Sequence, residues 1–221
     1  MTILPPLTHG IGTAEFVVAA CAEQLRTFTR VAQFRDLAVA HGFGDRTAFD
    51  RFATALLEIA EIDFEGVRQR EIRRRASARR LAGRAASGPR LVLYSAATMN
   101  SFLIAGADDR ILWHDVLPGY VTRGDGARAA EMAAGQAIWL AGAARVEWGA
   151  DAASLQLVLA RGRGVDRDVL RDKAAAVAID LHVAVQSLHH PAAEQCHRPG
   201  PVHWTTADLA RLYDQHGQDI T

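Results

Sequence analysis

The sequence predicts an α+β / α/β chain: a helical N-terminal region over residues 1–88, then a mixed five-stranded sheet with flanking helices over residues 89–221. Apolar residues recur at helical spacing as far as Ser87-Gly88-Pro89, the clearest boundary in the chain. Beyond it, short runs rich in β-branched and aromatic residues take over. Their order with the remaining helical stretches is β-β-β-α-β-α-β, a meander of three strands extended in parallel by strand–helix alternation. Hydrophobic residues make up 49% of 221, which places the chain with folded proteins of one large or two modest domains.

The first dozen residues are rich in Pro and Gly and read as irregular. A helix is expected from Thr13 to about Thr29, with Thr13 as cap and Phe16, Ala20, Leu25 and Phe28 on one side. A second runs from about Val31 to Ala40 and is broken by His41-Gly42-Phe43-Gly44-Asp45, since glycine supplies the positive φ that ends a helix. Thr47 or Asp45 caps a third through Phe49, Phe52, Leu56, Leu57 and Ile59, and an arginine-rich helix follows up to Ser87. Strands are expected at 90–94, 101–105 and 110–117, with Asp108-Asp109 as a turn and Pro118-Gly119 as a stop. An alanine-rich helix over 127–146, a strand over 155–160, a helix over 168–179 and a strand over 181–185 complete the order. Thr205 to Gln215 reads as a final short helix with Thr205 or Thr206 as cap.

Charge is distributed unevenly along a chain that is formally neutral. Residues 68–90 carry nine arginines and a single acid, Glu71, whereas residues 1–67 and 91–221 each have a net charge of −4. Arginine outnumbers lysine twenty-four to one (Lys173), so the count alone says little and the clustering says more. A concentrated basic stretch between acidic halves is the footprint of a polyanion-binding element. It fits nucleic acid, a solvated helix docked on the chain's own acidic surfaces, or a phospholipid surface. On the nucleic-acid reading, Arg68, Arg70, Arg73, Arg74, Arg75, Arg79, Arg80 and Arg84 meet phosphates, because the guanidinium fork bonds them bidentately.

No apolar run reaches the length of a membrane span, and Met1-Thr-Ile-Leu-Pro-Pro has neither a charged leader nor an apolar signal core. Two cysteines far apart, Cys21 and Cys196, make no disulfide framework. Together these predict a cytoplasmic protein with reduced thiols.

Two stretches resemble known families. Ala129-Ala130-Glu131-Met132-Ala133-Ala134 and His190-Pro191-Ala192-Ala193-Glu194-Gln195-Cys196-His197, together with the element order, resemble the ribonuclease H family over roughly residues 90–200. That resemblance implies a ribonuclease H-like sheet whose activity needs clustered carboxylates holding two divalent ions. The chain departs from it where Leu93-Tyr94-Ser95-Ala96, Leu159-Ala160-Arg161-Gly162 and His197 stand at the other carboxylate positions. Only Glu131 is left, so the resemblance implies a degenerate, non-cleaving member. The alternative is a divergent nuclease that holds Mg with Glu131 and Asp108, Asp115 or Asp125. Leu37 to Phe52, with Gly42-Phe43, Thr47, Phe49 and Arg51, is similar to a helix-turn-helix unit of AraC-type regulators. That similarity implies DNA contacts by Arg46, Thr47 and Arg51; those regulators use two such units and one is visible here, and a plain helical corner has the same pattern.

Arg161-Gly162-Arg163-Gly164 is a glycine-rich turn with two cations, either an ordinary strand–helix loop or an anion contact. Gly119, Gly124 and Gly126 with Arg123 form a second flexible loop. His182, His189, His190, Cys196, His197 and His203 form the densest group of Zn-type ligands, yet their spacing fits no standard finger. The tryptophans Trp113, Trp139 and Trp148 fall at core positions. The expectation is a non-catalytic nucleic-acid-binding protein, RNA- or DNA-binding, acting as an accessory subunit within a nucleoprotein complex. A protein-interaction module whose arginine helix binds an acidic partner is the other reading.

Overall fold

Five helices, α1 (Ala14–Ala20), α2 (Ala22–Arg26), α3 (Val31–Ala40), α4 (Arg46–Ala60) and α5 (Phe64–Ala85), precede the first strand in this computed structural model, which describes residues 12–122, 124–198 and 200–212. The chain divides into two compact units, Met1–Ser77 and Ala78–Thr221. The division falls within α5, while Ser87-Gly88-Pro89 marks the junction from helix to sheet.

In the first unit the phenylalanines form the core. Phe34 and Phe52 are fully buried, and Phe64 meets the ring of Phe34 at 5.8 Å and that of Phe49 at 5.0 Å, both edge-on. Edge-to-face rings gain quadrupole attraction beyond area burial. Thr13 caps α1 by accepting from the Phe16 amide. The expected single helix to Thr29 divides at Cys21, whose ψ of 9° leaves the helical range, and Phe16 is 59% exposed while Val17, Val18 and Leu25 are buried. Gly42, at φ 87°, ends α3, and Asp45 caps α4 by accepting from the Ala48 amide at 2.9 Å.

In the second unit the strands are β1 (Arg90–Ala97), β2 (Ser101–Gly106), β3 (Ile111–Val116), β4 (Ala153–Leu159) and β5 (Ile179–Val185), in the spatial order β3-β2-β1-β4-β5. β2 is antiparallel to β1 and to β3, and β4 is parallel to β1 and to β5. Short helices α6 (Gly119–Thr122) and α9 (Pro191–Gln195) and the longer α7 (Gly126–Glu147) and α8 (Arg167–Ala176) flank the sheet. This is an α+β fold with a helical N-terminal region followed by a mixed sheet.

Period-two alternation splits the sheet into two faces. Leu91, Leu93, Leu155, Leu157, Ile179 and Leu181 pack under α7 and α8. α7 lies close because its buried side is mostly methyl groups, including Ala129, Ala133, Ala137 and Ala141. On the other face, α9 covers Ala96, Leu103 and Ala105. The expected helix from Thr205 is two 3-10 turns, Trp204–Thr206 and Leu209–Arg211, as far as the described residues extend; its remainder and Arg123 lie outside them. Among the described residues no helix is long and apolar enough to cross a membrane.

Candidate nucleic-acid interface

α5 combines two ordinary anchors with an unusual middle. It buries Phe64 and Val67 in the first unit and Leu81 and Ala85 in the second. Between them it exposes Arg68, Arg70, Arg73, Arg74, Arg75, Arg79 and Arg80, with Arg84 exposed further on and Ile72 exposed by 49%. The helix forms because most of these residues are straight-chained and lose little rotamer freedom in it. Asp63 caps its start by accepting from the Gly66 amide at 2.8 Å.

Ion pairing leaves part of this charge uncommitted. Arg68 pairs with Glu65 at 3.1 Å on the open surface, and Arg75 pairs with Glu71. Hydrogen bonds from Gln69 and then Arg68 hold the Glu65 carboxyl below its ordinary value. The Arg68–Glu65 pair, exposed on both sides, is weak and yields to a competing phosphate, whereas the Glu71 side chain is 13% exposed. Arg70, Arg73, Arg79 and Arg84 have no carboxylate partner among the described residues. Glu71, the lone acid of the segment, serves the fold, since its Oε2 accepts from the Val31 amide at 3.0 Å, at the first turn of α3.

Arg161 and Arg163 lie elsewhere, in the loop after β4, and both are exposed. The Arg161 guanidinium lies over Gly126 at the start of α7, where an added Cβ would come within 2.5 Å of Nη1. The two helix N-termini beside this loop are already occupied. Asp125 accepts from the Ala127 amide at 2.8 Å, and Asp166 from those of Asp168 and Val169 at 2.9 and 3.3 Å. A phosphate there would meet a carboxylate, so anion contact falls to the arginine side chains.

The residues at the metal-binding positions implied by the ribonuclease H resemblance do not assemble a metal site. Ser95 is buried in β1 with its Oγ unpartnered among the described residues, and it pairs with Leu159 in β4. Glu131 is half-buried on α7. Asp108 sits in the turn after β2, Asp115 accepts from the Val116 amide on β3, and Asp125 caps α7. Among the described residues no three His, Cys, Asp or Glu side chains form a group able to hold a metal ion.

That result covers the histidine and cysteine group too. His190 is buried and uses both ring nitrogens structurally: Nε2–H donates to the Val158 carbonyl at 3.1 Å and Nδ1 accepts from the Ala193 amide at 3.2 Å, capping α9. Burial pushes the His190 pKa down, so the neutral ring is the native form. Cys196 is buried with its thiol pushed up by desolvation, and His189 and His197 are exposed. His182 lies on β5 beside Asp180, at 3.2 Å.

The α3–α4 corner presents Arg46, Thr47 and Arg51 on its exposed side together with Asp50 and Glu58, so that surface is mixed in charge. Its groove, about 900 Å³, is lined by Asp45, Asp50, Glu58, Asp63 and Glu65 against Arg35, Arg46 and Arg68. An acidic lining repels phosphate. A second groove of about 510 Å³, on the face of β1, β4 and β5, is lined by Arg90, Val92, Ser154, Gln156, Asp180 and His182 with Ala82, Ala85 and Ala86. Sequence reasoning missed it, although Ser154/Gln156 and Asp180/His182 are polar residues at period two and mark an open sheet face. Compared with models of known families and with characterised proteins, the chain matches none.

Proposed function

We propose that the protein is a non-catalytic nucleic-acid-binding protein, ribonuclease H-like in its sheet unit, that serves as an accessory subunit of a nucleoprotein complex in the cytoplasm. The observation that carries this reading is the exposure of Arg70, Arg73, Arg79 and Arg84 on one helix with no carboxylate partner among the described residues. Eight guanidinium groups within one helix repel one another, and phosphates relieve that repulsion. Arg161 and Arg163 add cations on the sheet unit. The sheet order β3-β2-β1-β4-β5 supports the ribonuclease H-like reading. Arg161 and Ser95, standing where the resembled family has carboxylates, support binding without cleavage. Free Cys21 and Cys196 suit a reducing compartment.

The test is binding of the purified chain to labelled single- and double-stranded RNA and DNA at low and high salt, with magnesium added to follow cleavage. Salt-sensitive binding without cleavage, lost when Arg73, Arg74 and Arg75 become alanine, is the expected result. Magnesium-dependent cleavage abolished by Glu131→Gln would overturn the non-catalytic reading. Binding to nothing but an acidic protein would overturn the nucleic-acid reading.

A further inference from the structure

We propose that α5 lies in the major groove of B-form duplex DNA and holds the two phosphate backbones with two separate arginine rows. The inference rests on the nucleic-acid reading above and narrows it to one ligand class. Two sets of three arginines share the same spacing of seven and then four residues: Arg68, Arg75 and Arg79, and Arg73, Arg80 and Arg84. At 3.6 residues per turn each set is a row, the two rows are separated by roughly 140° around the helix, and each spans about 16 Å. Between them lie Gln69, Ile72, Ala76 and Gly83, with Glu65 one turn before the rows, where it pairs with Arg68. A Cβ placed on Gly83 would meet nothing within 4 Å, so this face is open. By the same period Phe64 and Val67, buried in the first unit, and Leu81 and Ala85, buried in the second, all lie outside the arc between the two rows.

This arrangement selects among polyanions by shape. A major groove about 12 Å wide admits a helix of about that diameter and presents one phosphate strand on each flank. A-form RNA has a deep, narrow major groove that does not admit a helix. Non-specific sites for single strands rely on aromatic stacking platforms, and α5 has no aromatic residue after Phe64. The amide of Gln69 on this face already donates to Glu65, and Ile72, Ala76 and Gly83 bond no base edge, so recognition is of the backbone rather than the sequence. Arg70 and Arg74 lie outside both rows and contribute less.

The experiment titrates the full chain against a 24-base-pair DNA duplex, an RNA duplex of the same length and the corresponding single strands, across a salt series. The DNA duplex is expected to bind at least about tenfold more tightly than the other two, with a log–log salt slope near −5 for six neutralised phosphates. Replacing either row by alanine reduces the slope by about three, Arg70→Ala changes it by less than one, and scrambling the base sequence leaves affinity within about threefold. Circular dichroism and melting temperatures of both row variants establish that they are folded. Equal or tighter binding of RNA duplex or single strands, or a row that can be removed without changing the slope, overturns the groove geometry and leaves the nucleic-acid reading standing. Failure to bind any of the three overturns both.

Discussion

Single side chains in this protein have roles that their residue types do not announce. Glu71 is the only acid among the arginines, and besides pairing with Arg75 it satisfies an amide at the start of α3. A carboxylate there also faces the positive end of a helix. Glu71→Ala is expected to lower stability by about 1–2 kcal/mol, read by urea denaturation, because the Val31 amide loses its partner. His190 is the second case. Its folded pKa lies below the ordinary histidine value of 6.5, so the unfolded chain takes up the proton more readily. Its contribution is complete above about pH 6.5 and is lost as pH falls from there toward the folded value. Protonating Nδ1 would remove the acceptor that caps α9. Melting temperature is expected to drop between pH 7.5 and pH 5, and the drop to shrink in His190→Gln; an unchanged pH profile in that variant contradicts the assignment.

The elements themselves were legible where hydrophobic period could speak. β1 to β5, α3, α4, α7 and α8 all lie where alternation or helical spacing places them, because each is long enough to show a period. α6 and α9 have four and five residues, too few for one, and they left no signal in the sequence. Trp139 has helical core spacing yet is 42% exposed, stacked edge-on between Trp113 and Trp204, because periodicity does not report how far a core extends. Of the candidate site, the arginine cluster was visible as charge density. The placing of Asp108 in a turn, Asp115 on β3, Asp125 at the cap of α7 and Glu131 on that helix, without a three-ligand group, was not, since it depends on how those elements pack. Two glycines of α7 make a test at this scale. A Cβ at Gly135 makes ordinary contact with Lys173, at 3.5 Å from Nζ, whereas at Gly142 it would lie 2.9 Å from Val177 Cβ. Gly135→Ala is therefore expected to stabilise by up to about 1 kcal/mol through helix propensity. Gly142→Ala is expected to destabilise by about 1–3 kcal/mol through overpacking, and thermal melts of the two variants decide it.

At the scale of the whole molecule, a neutral protein keeps a net charge of +8 on residues 68–90. Neutrality overall means that binding is governed by where charge sits, so isoelectric point is a poor guide to its partners. Association with a polyanion should be fast at low salt and weaken steeply as salt rises. Glu131→Gln is expected to leave binding unchanged in magnesium, since among the described residues it belongs to no group of three side chains able to hold a metal ion. The measurement that bears most directly on the central claim is the salt dependence of nucleic-acid binding by the full chain and by the variant with Arg73, Arg79 and Arg84 all changed to alanine. A steep negative slope is expected for the full chain, falling by about three in the variant while the fold is retained. An identical slope in a folded variant would contradict it, and would mean that the exposed arginines of α5 do not meet phosphates.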